Sequence, residues 1–148
     1  MLDAETMASD TVDPPRKRKV DDSAERELDF QCRAHRLPAP IWKGSTDGQF
    51  KIEKRVQKAR ADGKQKHVPD RWRFDFAWPA FGLIVEIDGG VWMGGAHAHP
   101  VDITRNMLKR NDAAFAGYAV LAYTPKQVKN GEAVADVERW LAAKGWTR

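Results

Sequence analysis

Trp72-Arg73-Phe74-Asp75-Phe76-Ala77-Trp78, then Pro79-Ala80-Phe81-Gly82, then Leu83-Ile84-Val85-Glu86-Ile87-Asp88: this stretch decides how the chain is read. The first run alternates aromatic with small or polar residues, the two-residue period of a half-buried strand. Proline and glycine in the second supply a turn. The third is a second strand, closed by Gly89-Gly90. A turn centred between Ala80 and Phe81 sets Asp75 opposite Glu86 and Arg73 opposite Asp88. Facing residues of an antiparallel pair have Cβ atoms about 4.5–5.5 Å apart. By alternation Arg73, Asp75, Ala77, Ile84, Glu86 and Asp88 share one face. Trp72, Phe74, Phe76, Trp78, Leu83, Val85 and Ile87 line the other, which reads as the core face.

Two or three carboxylates are thereby gathered on one side of a hairpin. Like charges directly opposite each other destabilise a sheet, and a divalent cation would offset that cost. Mg²⁺ takes oxygen ligands and commonly uses one or two carboxylates, with waters and phosphate oxygens completing the shell. The alternative is that Asp88 pairs with Arg73 while Asp75 finds a neighbouring base or backbone donor. That alternative serves Asp88 as well as metal binding does, but it explains the Asp75–Glu86 pair less well. The pairing depends on register, because a slip of one residue would move every side chain to the other face.

Outward from the hairpin, a loop bearing Gly94, Gly95, His97 and His99 leads to a helix that Asp102 can cap and Gly117 stops. Residues 118–123 form another strand. Thr124-Pro125 opens a helix with a good N-cap and proline at its first position; it is interrupted at Asn130-Gly131 and continues to about Lys144. On the N-terminal side, Asp22 and Glu25 form a plausible capping arrangement for a helix over about 22–36, ended by Leu37-Pro38-Ala39-Pro40. A weak strand starts near Ile41 or Phe50. Residues 51–66 are nearly without apolar anchors and read as a mobile basic excursion. Helix, strands, helix, strand, helix is the order of an α/β sheet flanked by helices.

Residues 1–20 are polar, contain Pro14 and Pro15, and read as a disordered basic tail ahead of one domain over 21–148. Pro15-Arg16-Lys17-Arg18-Lys19-Val20 is similar to a short nuclear localisation signal, although such runs also serve as DNA-binding arms or arise by chance. The 148 residues, 42% hydrophobic with six tryptophans, suffice for a real core. A single cysteine, Cys32, excludes an internal disulfide framework and a multi-cysteine zinc site. No apolar run approaches membrane-helix length and no hydrophobic leader is visible, so the expectation is a cytoplasmic protein with no membrane partner. The whole chain is only +4, yet residues 51–73 carry nine Lys or Arg against three acids. These nine are Lys51, Lys54, Arg55, Lys58, Arg60, Lys64, Lys66, Arg71 and Arg73. Such a block suits a nucleic-acid backbone or is simply a solvated charged segment.

The motifs together resemble the PD-(D/E)xK nuclease superfamily, in particular its small phage-type and very-short-patch-repair-like endonucleases. Residues 72–79 and 85–92 carry most of the resemblance. Gly94-Gly95-Ala96-His97, Lys109-Arg110-Asn111 and residues 117–121 add to it, so that it spans about 23–145. The resemblance implies a restriction-endonuclease-like core, αβββαβ with a mixed sheet flanked by helices. It also implies metal-dependent hydrolysis of DNA phosphodiester bonds in phage or bacterial recombination, repair or processing. The metal would be Mg²⁺ or Mn²⁺, held by Asp75, Glu86, the Ile87 carbonyl and a first-helix glutamate. Glu25 is that glutamate, ahead of Glu27, with Gln31 two turns further on. Duplex or branched DNA would be the partner, and a homodimer would suit cleavage of both strands.

The chain departs from this pattern where it has Asp88, since the family places a lysine two residues after the glutamate. Lys109 on the following helix could return an ammonium to the site, and Asp88 could add a ligand or orient water. Equally, Lys109 could be a surface lysine of a basic helix. His97, and less so His99, could overhang the site as an acid or base, although a lone loop histidine is more often only solvated. His35 and His67 have no expected role, and Trp92 is expected to plug the sheet end. The alternatives to a nuclease are a DNA-binding domain of the same fold without turnover, motivated by the missing lysine, and a nuclear-targeted effector, motivated by the Arg16–Lys19 run.

Overall fold

The computed structural model describes residues 21–55, 71–88 and 100–148, with the side chains of 100–102 left out. The tail at 1–20, the basic residues Lys58, Arg60, Lys64 and Lys66, and Trp92, His97 and His99 lie outside the described residues. In chain order the elements are α1 (Ser23–Ala34), β1 (Ile41–Trp42), β2 (Lys51–Glu53), β3 (Arg71–Arg73), β4 (Phe76–Trp78), β5 (Leu83–Ile87), α2 (Pro100–Phe115), β6 (Ala119–Tyr123), α3 (Pro125–Lys129) and α4 (Glu132–Ala143). A mixed sheet runs in the order β1-β4-β5-β6, and β2 with β3 forms a separate two-stranded ribbon. The β1–β4 and β4–β5 pairs are antiparallel, while β5 and β6, joined through α2, are parallel.

The hairpin register is the one the sequence predicts: Phe76 faces Val85, Ala77 faces Ile84 and Trp78 faces Leu83. Its turn is a single 3-10 turn, Pro79–Phe81, closed by Gly82 at φ 61°. Glycine is required there on two counts. The left-handed conformation strains other residues, and a Cβ would stand 3.1 Å from the Gly117 carbonyl oxygen. The Gly82 carbonyl in turn accepts the Ala119 N–H at 2.9 Å, which starts β5 and β6 side by side.

Two corrections follow from a break in the first strand. Residues 72–78 are not one strand, since β3 leaves the main sheet and pairs with β2, Lys51 facing Arg73 and Ile52 facing Trp72. Arg73 therefore does not face Asp88. The break also moves aromatic side chains across the sheet. Phe76, Trp78, Leu83 and Val85 pack under α1, α3 and α4 with Leu28, Cys32, Val128, Val137 and Leu141. Trp72 and Phe74 instead join Ala77, Ile84 and Ala113 in a second core beneath α2. Both faces are thus buried, and the hairpin has no solvent face along Ala77 and Ile84. A full-sized apolar side chain is worth about 1.5–3 kcal/mol when buried, so both faces contribute to holding β4 and β5 in place.

Residues 51–53 form a strand, not part of a mobile basic excursion. Ile52 and Phe50 supply apolar contacts to the second core, and the Phe50 carbonyl accepts the Phe74 N–H at 3.0 Å. At α1 the capping arrangement does not form. Asp22 occupies the N-cap without a side-chain cap bond, its carboxylate turned to Arg26 at 3.0 Å and Lys43 at 3.6 Å. Thr124, in contrast, does cap α3: its hydroxyl accepts the Gln127 N–H, and the Gln127 side chain accepts the Thr124 N–H. Asn130-Gly131 separates α3 from α4, as the sequence suggests. Among the described residues, no helix is long and apolar enough to cross a membrane.

Candidate active site

The α2-facing side of the sheet is apolar at Ala77 and Ile84 and turns acidic one step further along, where β4 gives way to the bend at Asp75 and β5 reaches Glu86. The register that pairs Phe76 with Val85 brings Asp75 and Glu86 to the same end. Asp75 is fixed by backbone: its Oδ2 accepts the Ile87 N–H at 2.8 Å. Glu86 is met from above by α2, whose Lys109 donates from Nζ to Glu86 Oε1 at 2.8 Å. Lys109 reaches it across the face of Phe74, its Nζ 4.5 Å from the ring centroid. Both partners of this ion pair are largely enclosed, with side-chain exposures of 20% for Lys109 and 13% for Glu86. Pairing in such a site is worth more than on an open surface, but each charge gives up water to make it.

The protonation balance reflects that cost. Burial, then the Asp75 charge, pushes the Glu86 carboxyl from its ordinary 4.5 to about 7, although Lys109 pulls it down. Burial also raises Asp75, against the Ile87 N–H, the Lys109 charge and a hydrogen bond with the Glu86 carboxyl, all of which lower it. The Asp75 charge raises Glu86 while the hydrogen bond with Glu86 lowers Asp75, so the two carboxyls titrate together. Glu25, on α1, belongs to the same neighbourhood. Its carboxyl is raised chiefly by burial, with the Asp75 charge adding to it and its own backbone N–H opposing. Asp88 is close enough for its charge to raise both Asp75 and Glu86, and it pairs with Arg110 of α2 at 3.4 Å rather than with Arg73.

The structure therefore brings Asp75, Glu86, Lys109, Glu25 and Asp88 to one end of the sheet. Gln31 is engaged elsewhere, donating from Nε2 to Glu27 at 2.9 Å and to the Val128 carbonyl at 3.0 Å. Among the described residues, no group of three or more His, Cys, Asp or Glu is placed so that it could hold a metal ion. Asp75 and Glu86 do offer carboxylate oxygens, the ligand type that Mg²⁺ takes.

The basic block divides. Lys51, Arg71 and Arg73 are exposed on the ribbon. Lys54 lies over the Trp72 ring at 4.0 Å. Arg55 is tied to Asp112 of α2 through both its side chain and its backbone N–H, the latter at 3.2 Å. Asp112 also accepts the Trp72 indole N–H at 2.7 Å. Nothing in the local sequence pattern marks this node as a whole. Its signal was an acid four residues after Leu108, on the helix face that packs inward. His35, given no role, pairs with Glu138 at 3.0 Å.

No family model matches this chain, and neither a curated protein nor a solved structure matches it.

Proposed function

We propose that the chain is a metal-dependent endodeoxyribonuclease built on a restriction-endonuclease-like core, with Asp75 and Glu86 as its metal-binding carboxylates. The observation that carries this reading is the Asp75–Glu86 pair, held against its own repulsion at one sheet end with Lys109 reaching in from α2. A structural role would not require two largely enclosed acids side by side, whereas a cation and a phosphate give the arrangement a use. Glu25 and the Ile87 carbonyl would complete the protein's share of the ligands. Bound Mg²⁺ or Mn²⁺ supplies a lowered pKa for a coordinated water and charge neutralisation at the scissile phosphate.

The chain's own groups have distinct tasks in this reading. The Ile87 N–H holds the Asp75 carboxylate in one orientation. The Lys109 ammonium takes the place of the lysine that Asp88 displaces, stabilising negative charge beside Glu86. Asp88, oriented by Arg110, and His97, which precedes α2 in the sequence, are the candidates for orienting water and moving protons. DNA, duplex or branched, is the substrate class, and a dimer would allow both strands to be cut.

The direct test is a panel of plasmid, branched and mismatched DNA incubated with Mg²⁺ or Mn²⁺, with wild type set against Asp75→Ala and Glu86→Ala. Metal-dependent nicking that both variants lose is expected. Salt-sensitive binding with no metal-dependent cut on any substrate would sink the enzyme and leave a DNA-binding domain. One observation favours that second reading: the Glu86–Lys109 and Asp88–Arg110 pairs already neutralise part of the site internally.

A further inference from the structure

Among the described residues, the cations of 51–55 and 71–73 are not alike, and the sequence alone could not sort them. Arg55 is spent on Asp112, where it locks the ribbon to α2. On the ribbon itself Ile52 and Trp72 take the core side. Alternation then puts Lys51, Glu53, Arg71 and Arg73 on the solvent side, and all four are exposed. Lys51 and Arg73 stand directly opposite each other. Facing like charges cost a sheet stability, and here the facing pair sits at the end of the ribbon nearest the acidic pair. Arg73 is two residues from Asp75, so their Cα atoms lie within about 7 Å.

We propose that the solvent face of the β2–β3 ribbon, led by Lys51 and Arg73 with Arg71 behind, seats the DNA phosphodiester backbone flanking the bond presented to Asp75 and Glu86. The proposal rests on the nuclease reading and deepens it. An acidic pair alone repels a polyanion, and Lys51 and Arg73, exposed within a few residues of it, supply the opposing field, while Arg71 stands opposite Glu53 and contributes less. Arg55 has no part in this contact, although it belongs to the same run of sequence.

Metal-free binding tests the proposal. A short, labelled, mixed-sequence duplex is titrated by fluorescence anisotropy over a salt series in chelator, using the full chain. Lys51→Gln with Arg73→Gln is compared with wild type and with Lys126→Gln plus Lys129→Gln, which removes the same charge from α3. Each lost phosphate contact lowers the slope of log affinity against log salt by roughly 0.9. The ribbon variant is expected to lose roughly twice that, Arg71→Gln alone to show a smaller loss in the same direction, and the α3 variant to keep the wild-type slope. Because the ribbon residues are exposed and the pair repulsive, melting temperature should be held or raised. An unchanged slope in the ribbon variants, or an equal loss in the α3 variant, would overturn the proposal. Intact metal-dependent cleavage with an unchanged slope removes the ribbon alone. The expected slope loss with no cleavage by wild type removes the nuclease and keeps the ribbon.

Discussion

Helix α2 meets two acids that look alike in sequence and end up in opposite states. Asp112, on the helix, is 7% exposed and is answered on several sides: the Trp72 indole N–H, the Arg55 backbone N–H and the Arg55 side chain. Burial works to raise its carboxyl, yet those hydrogen bonds outweigh it and hold it below its ordinary value. Glu86, on β5, receives one ammonium, from Lys109, and faces another acid, so it is pushed up to about 7. Side-chain exposure alone does not separate the two, at 6% for Asp112 and 13% for Glu86. Completeness of partnering does. A charge with every lone pair answered holds the fold together, and one left short of donors beside a like charge is poised to take a proton, a cation or a substrate group.

The sharpest way to break this contrast is to remove one acid of the Asp75–Glu86 pair. On the nuclease reading, Asp75→Ala should reduce metal-dependent cleavage by at least about a thousand-fold, roughly 4 kcal/mol of barrier, while stability falls by only about 1–3 kcal/mol because the Ile87 N–H loses its acceptor. Nicking assays run beside thermal denaturation measure both. A variant that still cuts while keeping its fold would move the site elsewhere.

Asp112→Ala should do the reverse. It strands the Trp72 indole N–H in the second core and frees Arg55, and a buried donor left unmet costs about 1–3 kcal/mol. The expected loss is about 2–3 kcal/mol in denaturant unfolding, shared between the ribbon and α2. Any cleavage that survives below the melting temperature should show an unchanged dependence on metal concentration.

How much of this was legible in the sequence depends on which contacts carry each feature. The hairpin register followed from local alternation and one turn, so the Asp75–Glu86 juxtaposition could be read from residues 72–88 alone. The Thr124-Pro125 start and the Asn130-Gly131 break were legible for the same reason, since caps and breaks act within a few residues. What local pattern could not give was the break at Phe74-Asp75. Alternation continues unbroken through that point, and only the pairing of β3 with a strand about 20 residues earlier pulls Trp72 and Phe74 to the far face. The division of the basic block was hidden likewise. Arg55 differs from Arg71 only in having Asp112, 57 positions along the chain, within reach.

Glu86→Gln sharpens the comparison through its sign. A raised folded-state pKa means that the folded chain holds a proton the unfolded chain has released. Wild-type stability should therefore fall as pH rises from about 4.5 to about 7 and level off above. Glutamine carries no charge to desolvate, so the variant should lack this fall. At pH about 8 it should be more stable than wild type by on the order of 1–2 kcal/mol, the Lys109 contact being lost against it. Urea unfolding at several pH values reads this directly. A Glu86→Gln variant less stable than wild type at alkaline pH would mean that Lys109 answers Glu86 as fully as Arg55 and Trp72 answer Asp112.

The smallest effect is also the most specific to a metal. Below about pH 7 Glu86 holds a proton, and a cation binding there must displace it, so Mg²⁺ affinity should rise with pH and flatten once the carboxyl is ionised. At a free Mg²⁺ concentration ten times its dissociation constant, the stabilisation is only about 1.4 kcal/mol. The difference in melting temperature with and without Mg²⁺ should nevertheless grow steadily from pH about 5.5 to about 8. Chelator should abolish that difference, as should Glu86→Gln. Asp112, fully partnered and held ionised, contributes nothing to this dependence. An Mg²⁺ shift that is equal at every pH would place the cation on some other group and leave Glu86 and Asp112 distinguished only by stability.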